Sequence, residues 1–436
     1  MFMRRHLHLP WRWQTALLAL RIPNFRLYWT GQAFSTTGRW MQTAANGWLV
    51  TELTDSPAVV GTVITVQFLP ILLLALVAGA VIDRVEKRRF LMAMELAAMA
   101  QALTVGLLVV TGTIQLWHLY LLAAALGTIN AFAQPARQTF ISELVGRELV
   151  PNAVGLYTMA FNTARLVGPA LAGAVIAGAG VGAAFLVQGG LVVPAVMALA
   201  SLRREELHYA PQGGGGAIWR EVAEGLQYIL ATPSVLQPIL MMAFIGTFGY
   251  NFTVALPLLA RQSLHVGSVQ FGFMSSAIGA GSILGALLLA AGGRATETRL
   301  LVGAWAFSAL LVALGLSPWY PLSLVVLVLL GLAGITFTAT GNARLQVLSP
   351  DHLRGRVLSV WFLLFAGSTP IGSALLGAVA SMTSISVAVA LFGLLCGVGA
   401  ALGLAYRLRP FPIMRTAPPL ETAGDGPESL GRPPSP

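Results

Sequence analysis

Two arginines, Arg39 and Arg165, stand inside long apolar runs of this chain. An arginine near the middle of a bilayer costs at least ~2.5 kcal/mol on insertion scales, so each must face protein, water or a ligand. Around Arg39, the polar residues Gln32, Ser35, Gln42, Thr43 and Asn46 recur at spacings of three and four. Most therefore share one helix face, which lipid would not tolerate. Farther along, Asn130 and Gln134 lie one turn apart, as do Thr158, Asn162 and Arg165. Side chains of these types can line a cavity that favours an anionic or hydrogen-bonding small molecule. The expected substrate-binding set is Arg39, Gln42, Thr43, Asn46, Asn130, Gln134, Asn162, Arg165 and Trp361, with Trp40, Trp48, Tyr250 and Phe337 as further candidates for apolar or stacking walls. Arginines pinned by helix-end carbonyls, and aromatics that only pack or touch lipid, are the plainer alternatives.

Proton coupling needs a titratable group inside a span. Glu95, about two turns into the third apolar run, is the candidate, since a desolvated carboxyl can take up protons near neutral pH. Snorkelling of Glu95 to the nearer membrane surface stays open beside it. Covalent chemistry has no equivalent support. No Walker sequence is present, no Ser/His/Asp or metal-ligand constellation stands out among six histidines, and Cys396 is the one cysteine. The chain is therefore expected to be no enzyme and to need no metal or cofactor.

The elements that must hold these residues follow from composition. Of 436 residues, 56% are hydrophobic and 10% charged, whereas soluble chains carry roughly a quarter charged residues. Runs long enough for a membrane helix fall near 27–51, 58–82, 90–111, 116–136, 152–177, 182–202, 234–260, 268–292, 299–317, 320–343, 356–380 and 384–406. The expected fold is all-α, with twelve transmembrane helices. The net charge of +10 could indicate nucleic acid, but its placement says otherwise. Most of the 26 Lys and Arg, including Arg137 and Arg147 after the fourth run, fall in segments that are cytoplasmic when the N-terminus is inside. That is the positive-inside pattern, with both termini cytoplasmic and no nucleic-acid partner expected. The run Thr15 to Leu20 is too short for a signal-peptide core, so the first helix is expected to insert itself.

Six runs lie on each side of a linker at 203–233, where Pro211, Gln212 and the glycines Gly213 to Gly216 are followed by an amphipathic helical period. This divides the chain into a cytoplasmic tail at 1–26, a six-helix bundle at 27–202, the linker, a second bundle at 234–407, and a tail at 408–436 expected to be disordered. The halves echo each other: Ala136-Arg137, Arg147 and Gly168-Pro169-Ala170-Leu171-Ala172-Gly173-Ala174 correspond to Ala343-Arg344, Arg356 and Gly372-Ser373-Ala374-Leu375-Leu376-Gly377-Ala378. Two related bundles are what a transporter needs if one half rocks against the other around a central site.

The loop after the second run reads Gly79-Ala80-Val81-Ile82-Asp83-Arg84-Val85-Glu86-Lys87-Arg88-Arg89. It resembles the loop signature of the major facilitator superfamily, with Glu86 where the signature has glycine. The resemblance implies that Gly79, Asp83, Arg84 and Arg88 gate, with Asp83 latching the N-terminal bundle to the start of helix 11. In the fifth run Gly155, Ala164, Gly168-Pro169 and Ala172-Gly173 are similar to the helix 5 signature of superfamily exporters, two glycines being replaced by alanine. Gly168 and Pro169 are thus expected to shape a close helix 5 to helix 8 interface, with Gly279, Gly281 and Gly285 as the matching surface.

Asn24-Phe25-Arg26-Leu27-Tyr28-Trp29, Trp40-Met41-Gln42, Trp48-Leu49-Val50, Pro135-Ala136-Arg137-Gln138 and the run from Asn162 to Pro169 are similar to the superfamily branch of the enterobactin exporter and macrolide efflux pumps of bacteria. What the resemblance implies is two pseudo-symmetric six-helix bundles in the bacterial inner membrane. They would export an amphipathic small molecule, drug-like or siderophore-like, by alternating access, in exchange for protons. Membrane lipid is the other expected partner, and a monomer the expected state. Lipid flipping or solute import by the same fold, and a membrane scaffold or sensor acting through the tails, are the competing readings.

Overall fold

In lipid every backbone amide and carbonyl must find its partner within the span, so apolar runs of this length become helices. The computed structural model describes residues 17–82, 84–208, 218–292 and 295–408. After a 3-10 turn at Leu18–Arg21, helix α1 runs Pro23–Leu53, α2 Pro57–Ile82, α3 Lys87–Val110 and α4 Leu116–Val145. Val150–Ser201 is one helical run broken at Gly180, whose φ of 82° and ψ of 166° suit only glycine. The break makes α5 of residues 150–179 and α6 of residues 181–201.

The second half opens with a short helix in the linker, Ile218–Ala231. Then come α7 (Pro233–Ser263), α8 (Ser268–Gly292), α9 (Glu297–Gly315), α10 (Tyr320–Leu348), α11 (Asp351–Met382) and α12 (Ile385–Leu408). Ten helical stretches among the described residues are long and apolar enough to span a bilayer. One of them, Arg147–Ser201, contains both α5 and α6, and α1 with its polar stripe is not among the ten. Twelve helices therefore cross, as expected, although α1 starts earlier and α4 and α10 run on longer than their apolar stretches.

Packing repeats between the halves. Helix α2 lies on α4, α3 on α4 and α6, and α1 along α5 and α6. Correspondingly, α8 lies on α10, α9 on α10 and α12, and α7 on α12. These are two pseudo-symmetric bundles, which meet along α5 with α8 and α2 with α11. The odd-numbered helices start at the end of the molecule that carries Arg84, Arg89, Arg147, Arg203 and Arg204. We refer to it as the basic end and to the opposite one as the far end.

The bundles are clasped in the far half. A Cβ on Gly61 of α2 would stand 2.5 Å from the Ser373 carbonyl oxygen of α11, and one on Gly173 of α5 would stand 2.4 Å from that of Ser268 in α8. Only glycine permits such backbone approach. Toward the basic end, a Cβ on Gly79, Gly155 or Gly355 would meet nothing within 4 Å.

The small surface of α8 is divided between two neighbours, which corrects the expected interface. Gly272 and Gly279 face Pro169 and Arg165 of α5, whereas Gly281 and Gly285 face Val328 and Leu332 of α10. At 100° per residue, positions 272 and 279 share a face while 281 is turned away from it. Gly168, assigned to the same interface from its motif, lies instead against Thr37 and Trp40 of α1.

The linker helix docks on the second bundle. Glu224 pairs with Arg356 at 2.5 Å, the Tyr228 hydroxyl donates to the Leu348 carbonyl at 3.2 Å, and Ile229 is buried. The glycine run Gly213 to Gly216 and the tail from 409 lie outside the described residues, as does the N-terminal tail up to residue 16.

Candidate functional site

The polar side chains of the membrane interior divide into two groups. The first is enclosed by the N-terminal bundle. Glu95 of α3 is 1% exposed and accepts from Arg137 Nη2 of α4 at 3.1 Å, from Gln32 Nε2 at 3.1 Å and from Ser35 Oγ at 2.7 Å, both of α1. A carboxylate so ringed by donors does not snorkel. Arg39 Nη1 stands 3.5 Å from the same carboxylate, and the guanidinium is held mainly by hydroxyls, Ser35 Oγ at 2.8 Å and Thr36 Oγ1. The Arg39 side chain keeps 19% of its surface exposed, against 1% for Arg137.

Arg137 corrects the reading of the fourth span. Counted as a cytoplasmic loop cation, it lies well within α4, because Phe140, Ile141 and Leu144 continue the buried helical face to Val145. That period is the signal which could have found it: the apolar run weakens after residue 136, but the helix does not end there. Gln134, one turn earlier, accepts from Arg137 Nη1 at 3.4 Å with its own side chain exposed.

Gln42 and Asn46 also belong to the bundle interior rather than to a cavity between the halves. Gln42 Nε2 donates to Gln101 Oε1 of α3 at 2.7 Å, and Asn46 lines a small internal cavity with Gln67 and Gln101.

The second group lies between the bundles. A cavity bounded by α1, α5, α7 and α8 is lined by Trp40, Thr43, Arg165, Phe252, Thr253 and Ser275. The Arg165 guanidinium carbon sits 5.6 Å from the centre of the Trp40 ring, within cation–π range. Arg165 pairs with no carboxylate among the described residues, so its charge is available to whatever enters.

Aromatic and small residues shape this chamber. Phe161 meets Trp40 edge-on, 5.6 Å between ring centres. Toward the far end the Trp48 ring of α1 stacks on Phe271 of α8 at 5.4 Å and 29°, across the bundle boundary, and Trp48 Nε1 donates to Glu52 Oε1 at 2.7 Å. Gly47 brings α1 against Thr253 and Pro257 of α7 just beside them. The chamber is thus sealed toward the far end by packed rings and backbone.

Of the expected binding residues, then, the structure brings Thr43 and Arg165 together, with Trp40. Asn162 turns back to donate to the Thr158 carbonyl of its own helix at 2.9 Å, and Asn130 is half-buried on α4. Trp361 is not at the cavity. It packs in the second bundle beside Phe337, 6.0 Å between ring centres, over Gly341, where a Cβ would stand 2.4 Å from its ring. Tyr250 likewise joins a cluster with Phe252, Phe307 and Phe365 and donates its hydroxyl to the Gly334 carbonyl at 3.0 Å. Thr253 and Ser275 are cavity residues that no sequence period marked, since single hydroxyls in apolar helices usually bond their own backbone.

Among the expected gating residues, Asp83 lies outside the described residues and Arg84 is exposed. Arg88 is buried and caps α6, with Nε donating to the Leu199 carbonyl at 2.6 Å and Nη2 to that of Ala200 at 2.5 Å. A cation at a helix C-terminus meets the carbonyls left unpaired there. Pro169 borders the cavity.

Comparison with known proteins accords with this architecture. Residues 14–422 match the family described as transmembrane secretion effector. The multidrug efflux pump Tap of Mycolicibacterium fortuitum is 27% identical over 354 residues, covering 78% of this chain and 84% of that protein. The enterobactin exporter EntS of Escherichia coli O157:H7 is 28% identical over 357 residues, covering 80% of this chain and 83% of that one. A bacterial homologue of the human lysosomal transporter Spinster, solved in an inward-facing and unoccupied conformation, superposes with a TM-score of 0.68 at 15% identity, over 90% of this chain and 97% of that one.

Proposed function

Because the chain belongs to the transmembrane secretion effector family of the major facilitator superfamily, and so is a multi-pass membrane transporter, we propose that it exports an amphipathic small molecule in exchange for protons. The observation that carries this reading is the Arg165 guanidinium over Trp40, without a carboxylate partner among the described residues, in a cavity that both bundles complete. A flat, partly apolar molecule with an acidic or hydrogen-bonding group would lie along Trp40 and Phe252 and present that group to Arg165, Thr43, Thr253 or Ser275. One chain supplies every wall, so a monomer suffices.

The basic end faces the cytoplasm in this reading, by the positive-inside rule, and its exposed arginines lie at the level of anionic lipid headgroups. The clasped far end then makes the present arrangement the one that loads from the cytoplasm. The described relatives named for efflux and export favour the same direction.

Glu95 is the coupling group. Ionised, it ties α1, α3 and α4 through Gln32, Ser35 and Arg137. A proton on it would cancel the charge that orders these donors and Arg39, freeing α1, which also carries Trp40 and Thr43, to shift. If substrate seats best where Glu95 is ionised, proton and substrate exclude each other by linkage, as exchange requires. Gly79 and Asp83 retain the gating role implied by their loop.

Inside-out membrane vesicles test the proposal, because export then appears as uptake. A proton gradient acid inside should drive accumulation of a labelled substrate, Glu95→Gln should abolish the dependence on that gradient, and Arg165→Ala should abolish binding. Accumulation only in right-side-out vesicles would mean import.

A further inference from the structure

The polar residues of α1 that do not reach the cavity form a column through the first bundle. Near the basic end it contains the Glu95 cluster, in which three buried polar atoms have no partner: the Tyr28 hydroxyl, Gln32 Oε1 and Arg137 Nε. Tyr28 is one turn from Gln32 on α1, packs against Phe140 of α4 at 5.4 Å, and lies within electrostatic reach of Glu95, Arg137, Arg39 and Tyr157. Two donors and an acceptor around one carboxylate are what an internal water satisfies, since a water commonly makes about three hydrogen bonds.

Six residues on, about 9 Å farther along α3 at 1.5 Å per residue, Gln101 accepts from Gln42 and donates to the Leu122 carbonyl at 3.2 Å. Beyond it is the internal cavity where Asn46, Gln67 and Gln101 meet Val63, Leu119 and Leu122. Leu119 is in the first turn of α4, so this cavity stands in the far half. Neither the Asn46 nor the Gln67 amide bonds a described residue. An apolar cavity stays dry, but one lined by unsatisfied amides holds water.

We propose that this column holds internal water and conducts protons between the far side of the membrane and Glu95, by a route separate from the substrate cavity. The inference rests on the reading of Glu95 as the coupling group. The charged and titratable groups around that carboxylate are Arg39 and Tyr28 of α1, Arg137 of α4 and Tyr157 of α5. The geometry gives Gln42 and Asn46 a purpose that substrate binding does not: they place amides where water must be oriented. It also keeps the proton out of the chamber that the substrate fills, so the two need not pass each other.

Radiolytic hydroxyl-radical labelling of the full-length wild-type protein in lipid nanodiscs tests for the water. Bound water generates radicals where it sits, so Leu119 and Tyr28 should be labelled several-fold faster than the likewise buried Phe185 and Phe307. Equal rates would overturn the proposal. Asn46→Leu and Gln67→Leu, which fill the cavity with apolar atoms, should slow gradient-driven transport at least about tenfold while substrate affinity stays within a factor of about two. A loss of affinity in step with the flux, or wild-type flux, would contradict the route. Glu95→Gln separates the two claims: gradient dependence lost there but intact in both leucine variants refutes the column alone. The reverse pattern refutes Glu95 as the end of the route and supports the column.

Discussion

Arg39 and Arg165 are chemically identical, and the sequence alone places both in one cavity. What separates them is a carboxylate on another helix. Glu95 fixes Arg137 and holds Arg39 nearby, while nothing described pairs with Arg165. No periodicity could reveal this, because the pairing of α3 with α1 and α4 is tertiary. The two arginines at Glu95 should also differ in what they contribute to stability. Removing one partner of a buried pair leaves a charge without compensation and costs about 3–5 kcal/mol. Arg137→Ala meets that description, at 3.1 Å and 1% exposure. Arg39→Ala leaves Glu95 its closer donors and should cost well under half as much. Thermal unfolding of the two purified variants should rank them in that order, and equal losses would refute the distinction.

At the level of elements, the number and order of spans were legible, since lipid leaves a run of apolar residues little choice of structure. Their ends were less so. Helix α4 continues to Val145 and α10 to Leu348 after their apolar runs weaken, because the turns at the basic end bury one face against neighbours. Three π-helical turns, Ile245–Gly249 and Leu259–Ser263 in α7 and Leu363–Gly367 in α11, were not legible at all. They depend on which backbones touch: Gly246 would set a Cβ 2.4 Å from the Leu364 carbonyl oxygen. Such turns recur at functional places in helices, and one of those in α7 lies just before the cavity residues Phe252 and Thr253. The clasp between α2 and α11 offers a test on this scale. Gly61→Leu cannot fit 2.5 Å from the Ser373 carbonyl, so the far ends of the bundles should part. A Thr43→Cys reporter should then react with a membrane-impermeant thiol reagent added at the far side, with the buried Cys396 silent. Labelling no faster than in the Gly61 parent would speak against the clasp.

For the molecule as a whole, the two bundles share one fold but differ in where their polar groups lie. The boundary between them carries the cavity into which Arg165 offers a positive charge, and the interior of the first bundle carries the Glu95 cluster, the group proposed to couple transport to protons. The second bundle has its own Gln237, Glu297 and Arg344 contacts on α7, α9 and α10, with Gln237 Nε2 to Glu297 Oε1 at 3.0 Å and Arg344 to Glu297 at 4.0 Å. These echo Gln32, Glu95 and Arg137 in chemistry and in the helices of the repeat that carry them, but Glu297 opens its helix where Glu95 lies two turns inside, and it is half-buried near the basic end. The repeated motif Ala136-Arg137 and Ala343-Arg344 hinted at this relation in the sequence. The burial that distinguishes the two clusters became visible only with the helices in place.

The most direct test is ligand affinity in two purified variants, Arg165→Ala and Arg39→Ala, using a compound that raises the melting temperature of the wild-type protein. A ligand that binds only the folded state stabilises it by RT ln(1 + [L]/Kd), so the stabilisation is lost when the affinity is lost. Arg165→Ala should lose the stabilisation and Arg39→Ala should keep it. Stabilisation kept in Arg165→Ala and lost in Arg39→Ala would place the substrate inside the first bundle and contradict the assignment of the cavity.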